Sequence, residues 1–400
     1  MKLASRLDAV APSATLALNA RAQELRALGR DVVSLTAGEP DFPCPEHIVE
    51  ALVKATRDGA TRYTPVAGTP AVREAVAARY RARGHAVEAE QVVVTVGGKQ
   101  ALFNALLSLL DPGDEVIVPS PYWLSYRDMV QLAQGRFVGV PTVEAEGFTM
   151  SADALREHLS AHTKAVILNA PANPTGAAYD REQLEALLEV LRPYPQVVLI
   201  FDEIYDRIVY PPHAFVSPVD VAPDFAERTV VVNGGSKAYA MTGLRIGWAV
   251  GPTPLIKAMA KLQGQSTSNA SAPVQHALVA ALEGDQSFVE RMRDAFQERR
   301  DRTVTRLKAM SGVSCFEPKG AFYAFPDVSS FLGRRTPDGA AVESARDLCE
   351  HLVAHQELVV VPGDPFGAPG NVRLSFAADL ETIERGLDRL EAGLGALSEP

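Results

Sequence analysis

The chain of 400 residues is poor in cysteine, with only Cys44, Cys315 and Cys349. Three thiols far apart argue against a disulfide framework and suit a reducing compartment, so a cytoplasmic location is expected. Neither they nor the eight histidines show metal-ligand spacing, and no metal is expected. Long apolar runs are also missing. No stretch approaches the roughly 20 residues of a membrane span, and the opening MKLASRLDAVAPSA lacks the apolar segment of a secretion signal. The chain is therefore read as soluble and unprocessed. There is no basic excess either: the net charge of −10 gives no footprint for nucleic acid.

What is present is ordinary globular material, 47% apolar and 22% charged, enough for two domains or one large α/β domain. Apolar strands are expected at 91–96, 115–119, 136–140, 164–169, 196–201, 229–233 and 245–250, with helical stretches between several of them. Nearly continuous apolar strands alternating with helices imply a mostly parallel sheet covered on both faces. Such sheets bind ligands at the carboxyl ends of their strands. Beyond about residue 270 the texture changes to long charged helices, strands near GVSCFE, GAFYAFP and LVVVP, and a last helix from about Leu380. The expected division is a large domain at 46–285 and a smaller α+β domain at 286–400. An N-terminal arm at 1–45 is expected to pack with the latter.

The stretch VVVNGGSKAYAMTGLRIG, from Val230, ends a buried strand in a glycine turn that presents Lys237, with Arg245 eight residues on. Burial penalises a charged amine, so such a lysine becomes a nucleophile, and the nearby cation can hold an anion. Other residues at strand ends draw notice: Gly98, Lys99 and Gln100 opening a helix after a strand, Trp123 in SPYWLSY, Asn173 in NAPANPTG, Asp202 and Tyr205 in FDEIY, and Arg373 in NVRLSF. Taken singly, each has a plainer explanation as a tight turn, a turn asparagine or an ion-pair partner.

In order, however, GGK, PYW, NPTG, DEIY, SK with its distant arginine, and VRLSF resemble the class I and II aminotransferases, over nearly the whole chain. The closest resemblance is to bacterial aspartate aminotransferases of subgroup I. That resemblance implies the fold type I α/β architecture, with a mostly parallel mixed sheet sandwiched by helices plus a smaller α+β domain. It implies pyridoxal 5'-phosphate attached to Lys237, with Asp202 against the ring nitrogen, Asn173 and Tyr205 on the phenolic oxygen and Trp123 on the ring face. Phosphate falls to the backbone of Gly98, Lys99 and Gln100, to Arg245, and to Tyr63 from a second subunit of a homodimer with shared sites. Many relatives have serine where this chain has Gly234, and Ser236 is the expected substitute.

Arg373 and the main chain of Gly38, in TAGEPDF, are expected to hold the substrate α-carboxylate; Asn173 and Trp123 line the same place. Lys99 is the candidate for a distal carboxylate, with Ser13 and Thr15 closing over the side chain. The expected activity is transfer of the aspartate amino group to 2-oxoglutarate by a ping-pong route. Prephenate, aromatic amino acids or alanine are alternative substrates. A lyase of the same fold and a regulatory module without catalysis are the competing classes.

Overall fold

The computed structural model describes residues 1, 3–8, 10 and 14–399; the side chains of residues 5, 14–19 and 21 are not described. Its centre is a seven-stranded sheet. The strands are β1 (Val92–Thr95), β2 (Glu115–Ser120), β3 (Arg136–Pro141), β4 (Thr163–Asn169), β5 (Val198–Asp202), β6 (Thr229–Gly234) and β7 (Gly247–Val250). Their spatial order is β1-β7-β6-β5-β4-β2-β3. All neighbours run parallel except β7, which is antiparallel to both β1 and β6.

The central strands are valine, isoleucine and leucine because both faces are covered. Val230 and Val232 pack into one cluster with helix Gly98–Leu109, and Val231 packs on the other face with helix Ala272–Glu283. Each such side chain contributes about 1.5–3 kcal/mol on burial. The edge strand β3, open on one side, instead exposes Arg136 and Gly139.

The expected strand at 245–250 begins only at Gly247. Arg245 has a left-handed backbone, φ 53°, which ends any extended run before it and turns the guanidinium back towards the glycine turns.

The later part of the chain wraps a second core of Phe322, Leu348, Leu374 and Leu387 around helices Ser287–Ala309, Ala345–Gln356 and Leu380–Gly395. Its sheet joins Tyr323–Ala324, Val372–Ser375 and Val361–Pro362, antiparallel throughout. GVSCFE forms no strand there; Ser314 makes a single antiparallel bridge to Asp327. Near the start of the chain Val33–Ser34 is a short strand. It pairs in parallel with Leu358–Val359, and Val33 and Leu35 join the second core. Among the described residues no helix is long and apolar enough to cross a membrane.

Candidate active site

The carboxyl ends of β1, β2, β4, β5 and β6 and the entry to antiparallel β7 meet along one edge of the large sheet. Lys237 stands there on the short turn Gly235–Ala238 that follows β6. Its Nζ donates to the Gly38 carbonyl and lies 6.0 and 5.8 Å from the ring centres of Tyr205 and Phe322. Part of its surface reaches solvent, yet side chains crowd the ammonium. Burial is the main cause that brings its pKa from 10.5 to about 8; Arg373 and Arg245 add to it, while Glu39 and Asp202 oppose it. About one-tenth of such a lysine is neutral at pH 7 and half at pH 8, far more than for an ordinary lysine.

Asp202, at the tip of β5, is 4% exposed. The Tyr126 hydroxyl donates to its Oδ2 over 2.7 Å, and the Ile204 amide donates to Oδ1 over 3.2 Å. Burial pushes its pKa up to about 6 against the pull of these donors and of Lys237. Trp123 packs edge-on against Tyr126, 5.3 Å between ring centres.

Asn173 is set by Asn169, whose Oδ1 accepts from the Asn173 amide at 2.9 Å. The Oδ1 of Asn173 accepts from Arg373 Nη1 at 3.0 Å, which leaves its Nδ2 to donate elsewhere. Arg373 is 3% exposed. Its Nη2 donates to the Thr36 carbonyl at 3.1 Å, and the guanidinium lies over the rings of Tyr323 and Phe366. Its Nε is buried with no partner among the described residues, so the fork has an unused donor. The hydroxyls of Tyr205 and Tyr323 meet at 3.0 Å beside it.

At the other side, Gly97 takes φ 80° and opens helix Gly98–Leu109. A Cβ on Gly97 would stand 2.7 Å from Arg245 Nη2, and one on Gly247 would stand 2.4 Å from the Gly98 nitrogen. The absence of both side chains lets Arg245 settle against the helix start, where first-turn amides have no carbonyl one turn back. Arg245 Nη1 also donates to the Thr242 carbonyl at 2.8 Å. The Gln100 amide is directed to the Gly97 carbonyl at 3.2 Å, and its side chain bonds the Val96 amide and Thr267. Ser236 is buried on the lysine turn. A side chain at Gly234 would crowd the strand exit, since a Cβ there would lie 2.9 Å from the Ile246 carbonyl oxygen.

Lys99 holds its Nζ 4.8 Å from the Trp123 ring centre, and burial, then Arg245, lowers its pKa against Asp128. Tyr63 is 90% exposed and takes no part in the contacts that join the other residues. Ser13 and the side chain of Thr15 lie outside the described residues.

Four residues of the site were not singled out in the sequence: Tyr126, Asn169, Tyr323 and Glu39. Glu39 accepts from the Thr242 hydroxyl at 2.5 Å and ties the proline-rich loop to the segment between Lys237 and Arg245. Tyr126 and Asn169 lie inside the motifs PYWLSY and NAPANP; nothing in the sequence points to Glu39 as a partner of Thr242.

The assembled groups suit a ligand with an electrophilic carbon at Lys237, a protonated ring nitrogen at Asp202 and a phosphate between Gly98 and Arg245. The free Nε of Arg373 and the free Nδ2 of Asn173 suit a second, carboxylate-bearing ligand beside it.

Known proteins resemble the chain along nearly its whole length. Residues 30–390 match the model of the family described as aminotransferase class I and II. The chain is 43% identical over 397 residues to the aspartate/prephenate aminotransferase of Cereibacter sphaeroides, covering 99% of each chain. The crystal structure of the aspartate aminotransferase from Rhizobium meliloti superposes with a TM-score of 0.96 at 42% identity, with 100% of both chains covered. That of the aspartate aminotransferase from Thermus thermophilus with maleate gives 0.91 at 44% identity, covering 98% of this chain and 100% of the other.

Proposed function

The chain belongs to the class I and II aminotransferases, and we propose that within that family it moves the amino group of aspartate to 2-oxoglutarate on a pyridoxal 5'-phosphate. The observation that carries this is the convergence of Lys237, Asp202 and Arg373, each buried or crowded and each shifted or left with an unused hydrogen-bonding atom. When bound, the cofactor supplies an aldehyde to take up the amino group and a ring to accept the electron pair freed at the substrate Cα.

Lys237 holds the cofactor and, once released, moves the proton at the substrate Cα. Asp202 keeps a proton on the ring nitrogen, because a buried carboxylate without a cation is costly. Tyr126, by donating to Asp202, favours its ionised form. Asn173 would hold the phenolic oxygen through the Nδ2 that Arg373 leaves free, with Tyr205 beside it. Trp123 would supply an aromatic surface for the ring. Gly98 and Lys99 amides with Arg245 take the phosphate, joined by Gln100, Ser236 and the Tyr63 of a second copy in a homodimer.

Arg373 clasps the α-carboxylate of the substrate with a planar fork that lysine lacks. Gly38, whose carbonyl already meets Lys237, lines the same place, and Lys99 binds the distal carboxylate. The Lys99 and Trp123 pair offers a cation beside an aromatic face, which favours prephenate, a dicarboxylate with a ring, as a second substrate. We assign residues 1–45 and 286–400 to the smaller body and 46–285 to the larger, in a cytoplasmic enzyme.

Incubating the cofactor-loaded protein with aspartate tests the reading. Oxaloacetate should form in an amount equal to the cofactor, and 2-oxoglutarate should then restore the starting absorbance. Ammonia release with no need for an acceptor would point instead to a lyase.

A further inference from the structure

On the opposite side of the strand from Asp202 lies a buried polar cluster that neither substrate binding nor proton transfer uses. Consecutive residues of an extended chain face opposite ways, so Asp202 turns to Tyr126 and Lys237 while Glu203 turns to helix Pro70–Arg81 and β7. Glu203 is 0% exposed. Its Oε1 accepts from the Tyr80 hydroxyl at 2.8 Å and from Asn233 Nδ2 at 3.1 Å, and its Oε2 faces Arg83 Nη1 at 3.5 Å. Trp248 Nε1 donates to the Tyr80 hydroxyl at 3.1 Å, closing the cluster from β7. Arg79, paired with Asp206, completes the charged surroundings.

A carboxylate removed from water is costly, and apolar side chains would pack this space without that cost. What the carboxylate adds is direction. Asn233 is gripped at both ends of its amide: Nδ2 donates to Glu203, and Oδ1 accepts from the Gly234 amide at 2.7 Å. Gly234 is the residue from which the turn carrying Ser236 and Lys237 starts. The backbone here is tightly confined, because a Cβ on Gly247 would lie 2.9 Å from the Asn233 carbonyl oxygen and 2.4 Å from the Gly98 nitrogen. A rotation of Asn233 therefore bears on both the lysine turn and the start of the helix at Gly98.

We propose that Glu203 is a positioning residue for Lys237, acting through Asn233 to fix the exit of β6 and so the place of the lysine amine relative to Asp202 and Arg245. The cofactor enters this proposal only through the functional reading above, and the principal measurement leaves it out.

The test uses cofactor-free protein and an amine-reactive sulfonate probe, following modification of the Lys237 peptide against pH, with near-ultraviolet circular dichroism as the check on folding. In the unaltered protein the midpoint is expected near 8. Glu203→Leu fills similar volume but leaves Asn233 without its acceptor, and should move that midpoint upward by about one unit. Glu203→Gln keeps an acceptor oxygen and should restore the original value. If Glu203→Leu does not fold, Asn233→Ala cuts the same link while Tyr80 and Arg83 still hold Glu203, and should give the same displacement.

In cofactor-loaded protein, the folded variant that cuts the link should lower kcat about tenfold with little change in KM. A folded Glu203→Leu or Asn233→Ala whose Lys237 titrates as before would overturn the proposal, even if its melting temperature fell. Because the titration needs no cofactor, an altered midpoint alongside a protein that fails to transaminate would uphold the positioning role and reject only the functional reading.

Discussion

The Tyr126 hydroxyl donates to Asp202 Oδ2 across 2.7 Å, joining the helix after β2 to the tip of β5 at the floor of the site. A donor to the ionised carboxylate lowers its pKa, here against a burial that has raised it to about 6. Tyr126→Phe should therefore move the acid limb of the rate profile to higher pH, since the ionised form is lost earlier as pH falls. A charged hydrogen bond contributes about 1.5–3 kcal/mol, so a drop of at least tenfold in kcat/KM at pH 7 is expected. A steady-state pH series on both proteins measures it.

The depressed pKa of Lys237 also bears on stability. Between about 8 and 10.5 the folded amine is neutral while the unfolded one is still protonated. The unfolded state then binds more protons, so stability contributed at this site rises with pH through that window. The difference in melting temperature between cofactor-free protein and Lys237→Met should shrink as pH climbs from 8 to 10, with the methionine variant the more stable at the lower end.

Arg373 spends two donors on Asn173 and Thr36 and keeps its Nε unpaired. Lysine can supply charge there but neither the fork nor the tie to Asn173. Arg373→Lys should cut kcat/KM for aspartate on the order of 30-fold, about 2 kcal/mol, with most of the loss in KM. Initial rates over a range of aspartate concentrations decide it.

Lys99 stands over Trp123, with its ammonium partly desolvated. Lys99→Ala should lower kcat/KM for aspartate relative to phenylalanine by about tenfold. An unchanged ratio would remove Lys99 from substrate selection.

Much of this site was readable because strand ends carry their own punctuation. Lys237 after a glycine turn, Asp202 after FIL-type apolar residues and Asn173 before a proline each break a pattern, and the sheet brings the breaks together. Tyr323 was not readable, because its role depends on β-pairing with Ser375, 52 residues on, and on a hydroxyl from a different core element. GVSCFE has the side chains of a strand, yet strand formation needs a partner edge, and among the described residues only Asp327 offers one there. The early start assigned to the 245–250 strand failed at Arg245, whose left-handed backbone is invisible in hydropathy. Glu203 was hidden by its neighbour: in DEIY the aspartate drew attention, and the tertiary contacts of Tyr80 and Asn233 give the glutamate its meaning.

The covalent attachment proposed at Lys237 is the point on which the functional reading stands. Borohydride reduction of the protein with pyridoxal 5'-phosphate, followed by proteolysis and mass spectrometry, should place one phosphopyridoxyl group per chain on the peptide containing Lys237, and aspartate added beforehand should prevent it. A tag on another lysine, or none at all, would contradict the assignment.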